Sequence, residues 1–385
     1  MLDTFSVRKR LYATMLYLDA NATEPLHPAA REAAMAAMEY AGNPSSIHQA
    51  GRRARRILED AREALGGLFN TRPQDLVFTS GATEANALAV HALGAGRSIL
   101  IGATEHDAIR AAAPEAVSIP VLPSGLVDPD VLESLLRAHE GALVCLMAAN
   151  NETGVLHDIA AAGALCLKYN ALLHVDAVQA AGRARVDWLG LGAASFAISG
   201  HKAGGPMGAG VLGLAPAVAE KLRPLIRGGG QEQGRRGGTP PLPAIAGMAA
   251  ALGQAYDARI AIYRDEIAAF CEGVGAVVVG KAAPRLPNTL CLALPCVRAE
   301  TQLIALDLAG IDVSAGSACS SGKVAQSHVL LAMGLGELAG QAIRVSLPWN
   351  AGPDAVAVFT AAYEAMRMRA LHLEPPAISE GRKLA

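Results

Sequence analysis

The chain reads as an α/β protein on a doubly wound, mostly parallel sheet, with a smaller α+β unit at its C-terminal end. Two observations support this. Short apolar runs of strand length alternate with longer alanine-rich stretches of helix length through most of the sequence. Strands buried on both faces by flanking helices read as continuous apolar runs. The length of 385 residues also exceeds the roughly 250–300 residues that one core sustains, so two domains are expected. The division is placed at 17–255 and 256–385, and the opening residues are allowed to pack with the smaller unit.

In chain order, Leu76–Ser80 is strand-like and Ala82–Leu93 reads as the helix that follows it. Ser98–Gly102, Ala142–Ala148, Ala171–Val175, Ser195–Ser199 and Gly210–Leu214 are further apolar runs between turn signals. The Gly-, Arg- and Pro-rich stretch Arg227–Pro243 breaks the alternation and reads as a long loop. A helix near Ala244–Phe270 links to the second unit, with strands near Ala276–Val279, Asn288–Leu294 and Ala342–Leu347. Pro353–Leu371 looks helical, and the last dozen residues look frayed.

Composition excludes several classes. Hydrophobic residues make up 52% of the chain, but alanine supplies much of that and no window approaches the ~20 apolar residues of a membrane span. The formal net charge of −2 gives no argument for nucleic acid or an anionic membrane as partner. Arg8, Lys9 and Arg10 precede no apolar stretch of signal-peptide type. The 6 cysteines lack disulfide-framework spacing and Cys-x-x-Cys pairs, which fits a reducing cytoplasm.

Four segments carry chemistry. Thr79-Ser-Gly-Ala-Thr-Glu84 sits where a strand turns into a helix. Its glycine permits the turn, and the helix start offers free N–H groups to a phosphate. Ser/Thr followed by Glu is also an ordinary capping arrangement. His174-Val-Asp-Ala-Val-Gln179 ends an apolar strand, so Asp176 can pair with a protonated ring nitrogen, as pyridoxal phosphate requires, or simply cap the next helix. Gln179 could then bond the cofactor's phenolic oxygen. Lys202 in Ser199-Gly-His-Lys lies at the carboxyl end of another buried strand, a position suited to a Schiff-base amine. Ser199 and His201 could add phosphate contacts. Cys319, in Val313-Ser-Ala-Gly-Ser-Ala-Cys-Ser-Ser-Gly-Lys323, has only small residues around it and reads as a reagent on a mobile loop. Cys145 and Cys291, inside apolar runs, read as small buried hydrophobes.

Two patterns are decoys. Ser199-x-x-Lys202 matches an element of serine acyl enzymes, but the chain has no Lys-Thr-Gly partner. Gly205-x-x-Gly208-x-Gly210 has the wrong order for a dinucleotide fingerprint.

Taken in order, the motifs resemble the cysteine desulfurases of the NifS/IscS type, in the class V aminotransferases. The matching segments are Tyr17-Leu-Asp-Ala-Asn-Ala-Thr, Gly42-Asn-Pro-Ser-Ser, Phe78-Thr-Ser-Gly-Ala-Thr-Glu, Thr104-Glu-His, Asn150-Asn-Glu-Thr-Gly, His174-Val-Asp-Ala-Val-Gln, Ser199-Gly-His-Lys, Gly228-Gly-Gly-Gln-Glu-Gln-Gly, Arg236-Gly-Gly-Thr-Pro, the Cys319 run and Ile343-Arg-Val-Ser-Leu. The resemblance implies fold type I of the pyridoxal phosphate enzymes, with a seven-stranded large-domain sheet. It implies that Lys202 carries pyridoxal 5′-phosphate, Asp176 pairs with its ring nitrogen and Gln179 with its phenolic oxygen, and His106 lies against the ring and helps move protons. Ala82, Thr83, Ser199 and His201 would cradle the phosphate, with Thr239 reaching it from the neighbouring subunit of a homodimer. Arg344 and Asn151 would clamp the carboxylate of L-cysteine. Cys319 would take the sulfur as a persulfide, leaving L-alanine, and pass it to an acceptor such as an iron–sulfur scaffold protein. No resident metal is implied, only a transient iron–sulfur ligand role for Cys319.

Three positions depart from the family's usual pattern. Glu24 stands where a small or hydroxyl residue is common, Gly237 replaces a serine and Met207 a lysine; none of them is expected to touch the core chemistry. Three rival readings are an aminotransferase of the same fold, a selenocysteine lyase and a scaffold without catalysis. Only the desulfurase gives Lys202 and Cys319 a task together.

Overall fold

In the computed structural model, which describes residues 15–184, 186–316 and 326–372, the chain opens with a two-residue strand, β1 (Leu16–Tyr17). It then builds a seven-stranded sheet from β2 (Leu76–Thr79), β3 (Ile99–Gly102), β4 (Val117–Ile119), β5 (Leu143–Met147), β6 (Leu172–Asp176), β7 (Ser195–Ser199) and β8 (Gly210–Leu214). The spatial order is β2-β8-β7-β6-β5-β3-β4. β8 pairs antiparallel with both β7 and β2, and the pairs from β7 to β4 are parallel. β2, β5, β7 and β8 are buried along their whole length, so the continuous apolar runs follow from helices covering both faces. The expected sheet and most of its strands are therefore observed. β4 was not anticipated, because its Val117-Ser-Ile is too short and polar to stand out.

The helix Pro28–Met38 packs through Ala30, Ala34 and Ala37 toward the helix Leu242–Leu252. A Cβ at Gly247 would lie 2.9 Å from the Ala30 carbonyl oxygen, so the two backbones approach too closely for a side chain there. The single helix expected near Ala244–Phe270 is instead two, Leu242–Leu252 and Arg259–Gly273. Residues 253–258 between them contain Gly253, which closes the first helix, and Asp257, whose carboxylate accepts from the Arg259 N–H at 2.9 Å.

Beyond the break, β9 (Val277–Val278), β10 (Thr289–Ala293), β12 (Ser314–Ala315) and β13 (Ala342–Ser346) form an antiparallel sheet in the order β12-β13-β10-β9. β11 (Ile311–Asp312) instead pairs in parallel with β1. Leu18 is fully buried in the same apolar cluster as Ile260, Leu290, Ile343 and Phe359. The start of the described chain thus belongs to the C-terminal core, and the helix Asp354–Ala370 covers that core through Phe359 and Tyr363.

Candidate active site

The carboxyl ends of β2, β6 and β7 open on one cavity of about 670 Å³. Of the residues picked from sequence, Ala82, Thr83, His106, Asn151, Asp176, Gln179, Ser199, His201, Lys202 and Arg344 all line it. Thr239 does not; it is exposed, in the loop after residue 227. Cys319 lies outside the described residues, but Ser314, Ala315 and Gly316 before it and His328 after it border the same cavity.

Lys202 follows β7 in a short 3₁₀ turn closed by Gly204 in the left-handed conformation (φ 83°). Its Nζ donates to the carbonyl oxygens of Asn21 at 2.5 Å and Ala22 at 2.9 Å. Burial, reinforced by the positive charges of Arg344 and Arg183, lowers its pKa from 10.5 to about 8. A neutral amine, the nucleophilic form, is therefore accessible near physiological pH. In the protein free of ligands this burial is a stability cost that is fully present below pH 8 and fades as pH rises toward 10.5. Lys202→Met is accordingly expected to be more stable than the unsubstituted chain at pH 7, by up to about 3 kcal/mol. Chemical denaturation at several pH values checks this. A difference that does not shrink between pH 8 and 10.5 would contradict the assignment.

Asp176 ends β6 and is held on both oxygens. Oδ1 accepts from the Val178 N–H at 3.0 Å and Oδ2 from Asn86 Nδ2 at 2.7 Å. Among the described residues no helix follows β6 before β7, so the alternative of Asp176 capping a helix is not what is observed; the side chain instead meets the Val178 N–H and borders the cavity. Asn86 Oδ1 in turn faces His174 Nε2 at 3.0 Å, and His174 Nδ1 lies 2.8 Å from Ser195 Oγ. Burial depresses His174 to a pKa of about 3, so the imidazole is neutral in this chain of contacts. Burial also raises the pKa of Asp176, while the two donors, His106 and Lys202 oppose that. Asn86 escaped the sequence reading because a single Asn inside the helix Ala82–Leu93 carries no pattern of its own.

The helix Ala82–Leu93 has Gly81 at its N-cap and no side chain bonded to its first N–H groups. A Cβ at Gly210 of β8 would lie 2.6 Å from the Gly81 carbonyl carbon, so glycine lets the strand pass against this turn. Glu84 Oε2 accepts from the Ser80 N–H at 2.8 Å, and Arg236 Nε donates to Glu84 Oε1 at 2.7 Å. Ala82 and Thr83 are left to offer N–H groups to an anion. His201 Nδ1 lies 3.2 Å from Thr23 Oγ1, and burial together with Lys202 lowers its pKa to about 4.

On the opposite wall, Arg344 is in β13, between β10 and β12, and is buried rather than on an edge. Its Nη2 donates to Asp19 Oδ1 at 2.6 Å, and its Nη1 to the Asn151 carbonyl oxygen at 3.3 Å. Its Nε is buried with no acceptor among the described residues. Asp19 also accepts from Ser314 Oγ at 2.7 Å, and sequence reading had given it no role. Glu152, next to Asn151, accepts from Ser327 Oγ at 2.5 Å, and a Cβ on Gly316 would collide with it. One carboxyl therefore stands against the residues on both sides of the segment that contains Cys319.

His106 is exposed at the cavity mouth. Its Nδ1 accepts from the Ala108 N–H at 3.1 Å, which places the ring proton on Nε2. Glu105 beside it is fully buried, with Oε1 accepting from the Met147 N–H at 2.6 Å and Oε2 without a partner among the described residues. Burial, with Asp176 nearby, raises its pKa well above the usual carboxylate range.

Comparison with known proteins decides the kind of site this is. The family model for class V aminotransferases matches residues 16–359. The chain belongs to that family. Within it, the chain is 35% identical to the IscS-like cysteine desulfurase of Mycobacterium tuberculosis, over 96% of this chain and 98% of that protein. It is 39% identical to a cysteine desulfurase of Cereibacter sphaeroides, covering 86% of this chain and 90% of that one. A NifS-like protein from Rickettsia africae superposes with a TM-score of 0.84 at 34% identity, over 92% of this chain and 99% of the other. These relatives place this class V enzyme among cysteine desulfurases of the IscS and NifS type, with the α/β architecture of fold type I.

The class V fold implies a pyridoxal phosphate enzyme, and the residues present fit that group. An amine at a strand end, a carboxylate buried and fixed on both oxygens, uncapped helix N–H groups and the Arg344 side chain all border one cavity.

Proposed function

We propose that this cysteine desulfurase uses pyridoxal 5′-phosphate to remove sulfur from L-cysteine, leaving L-alanine and a persulfide on Cys319. The observation that carries the reading is the convergence of Lys202, Asp176 and Arg344 on one cavity bordered by both flanks of the Cys319 segment. When bound, the cofactor supplies an electron sink that makes the carbon–sulfur bond of cysteine cleavable. Lys202 would hold it covalently, and its amine is placed to take and return the proton at the substrate Cα. Asp176 keeps the ring nitrogen protonated, and Gln179 donates to the phenolic oxygen. Ala82, Thr83, Ser199 and His201 hold the phosphate. Arg344 and Asn151 bind the substrate carboxylate, with the planar guanidinium presented by Asp19. His106 offers Nε2 to protons exchanged at the substrate or its sulfur.

The same reading makes the enzyme a homodimer, with Thr239 serving the partner's phosphate site. Leu26, Met35, Met38, Tyr40 and Ile47 are exposed apolar side chains in one stretch of sequence, and residues 229–233, Arg235 and Pro240 line a second cavity of about 710 Å³ with Arg55 and Arg62. Both support a surface that a second copy covers. The units 17–255 and 256–385 are proposed as the two domains, and an iron–sulfur scaffold in the cytoplasm as the sulfur acceptor. Among the described residues no helix is long and apolar enough to cross a membrane.

The test compares the purified chain with Cys319→Ala, reading visible absorbance, then alanine and sulfide from L-cysteine. Both proteins should be yellow, and only the unsubstituted chain should turn over. A yellow Cys319→Ala protein with full turnover would instead favour an aminotransferase or a selenocysteine-type lyase.

A further inference from the structure

Glu24, the residue that departs from the family's usual pattern, is buried in a place where a carboxylate needs a reason. Its side chain is 4% exposed and pairs with Arg183, 2% exposed, at 2.9 Å from Arg183 Nη2 to Glu24 Oε2. The other oxygen, Oε1, accepts from the Trp349 backbone N–H at 2.6 Å. Burial raises the pKa of Glu24 and Arg183 lowers it. With a donor on each oxygen, the carboxylate form satisfies both contacts.

Arg183 does more than neutralise Glu24. Its Nη1 donates to the Gln179 backbone oxygen at 2.9 Å and to Gln179 Oε1 at 3.3 Å. Gln179 Nε2 donates to the Asn21 carbonyl oxygen at 3.1 Å. These two contacts fix which way the amide faces. Turning it over would set an N–H₂ against the Arg183 guanidinium and an oxygen against the Asn21 carbonyl, two repulsive pairs at once. Gln179 can therefore present only its second Nε2 hydrogen to an acceptor in the cavity.

We propose that Glu24 and Arg183 are a positioning pair that locks Gln179 as a hydrogen-bond donor toward the cofactor's phenolic oxygen. This rests on the pyridoxal phosphate reading and names residues that reading did not use. Glu24 fixes one arm of the guanidinium fork so that the other stays on Gln179. Because Glu24 is also bonded to Trp349, the orientation of Gln179 depends on a contact from the C-terminal part of the chain. A donor on the phenolic oxygen favours its anionic form and so favours the long-wavelength absorbing form of the bound cofactor.

Arg183→Lys is the informative variant, because it keeps a positive charge beside Glu24 but lacks the fork that reaches both partners. The measurement is the ratio of long- to short-wavelength absorption bands of the loaded enzyme without substrate, at one pH, for Arg183→Lys, Gln179→Leu and the double variant. The ratio should fall about threefold to tenfold in each single variant, with the double variant no lower than Gln179→Leu alone. An unchanged ratio in Arg183→Lys, or full additivity in the double variant, would overturn the positioning pair while leaving the proposed function intact. A chain that binds no pyridoxal phosphate at all would overturn both. Should Arg183→Lys not fold, Glu24→Gln, which loosens the fork from the other side, takes its place in the same comparison, and an unchanged ratio there overturns the pair equally.

Discussion

Lys202→Ala is expected to release alanine from L-cysteine at about 10²- to 10⁴-fold below the unsubstituted rate, the range lost with a positioned acid–base group. Pyridoxal phosphate should still enter the cavity, because Asp176, Gln179 and the helix start at Ala82 remain, but it should wash out on dialysis for want of a covalent bond. The physical basis is the placement of Nζ. It is held by two backbone carbonyls at 2.5 and 2.9 Å, in surroundings that lower its pKa to about 8, so an added external amine cannot reproduce both its position and its ionisation. Partial rescue by small primary amines is expected, well short of the native rate. A Lys202→Ala enzyme with undiminished turnover would remove the central assignment.

The second large effect concerns stability. Arg62, in the helix Gln49–Leu68, bonds Glu232 bidentately at 2.9 and 2.7 Å, donates to the Leu76 carbonyl oxygen at 2.8 Å, and lies 4.6 Å from the centre of the Phe78 ring. Glu232 also accepts from the Phe78 N–H at 2.9 Å, and its backbone is in the left-handed region at φ 51°. Arg62→Leu would leave that carboxylate buried and unpaired, so a loss of about 3–5 kcal/mol is expected. Replacing Glu232 by Gln in the same protein removes the stranded charge and should recover much of the loss. Denaturant midpoints of the single and double variants measure this, and a cost below about 1 kcal/mol in Arg62→Leu would mean that the pair contributes little. The pair anchors the loop that carries Thr239, so exchange of cofactor should also quicken in the single variant.

Much of this was legible in the sequence, for identifiable reasons. Strands such as Ser195–Ser199 and Gly210–Leu214 are short, small-residue or apolar runs next to turn signals, Gly200 after the first and Gly208 before the second, and their limits agree with the sequence reading. Lys202 and Asp176 could be found because each sits just where an apolar run stops. The break at 253–258 was hidden, because both flanking helices are rich in alanine and isoleucine and no proline marks the interruption. Asn86, Asp19 and Arg183 were missed for a different reason. Each acts on a residue 90 or more positions away, or through another side chain, and such partnerships leave no local pattern; Asn86 and Asp176 are 90 residues apart and Asp19 and Arg344 325. Glu24 was noticed only as an oddity and was expected to leave the chemistry alone. Its burial against Arg183 shows that an unusual residue can be half of a pair whose other half looks unremarkable.

The route of the backbone between the sheets has a mechanical consequence. The chain leaves β1, which lies with the C-terminal core, to build the seven-stranded sheet, and returns after β8 through residues 253–258. Two bodies joined by one strand of chain can swivel freely, whereas two joined at separate points are restricted to turning about the line between those points. Asp19, Asn21 and Ala22 lie on the first joint and contact Arg344, Gln179 and Lys202 directly. In the proposed division into 17–255 and 256–385, any turning about that first joint therefore moves Arg344, Gln179 and Lys202 least.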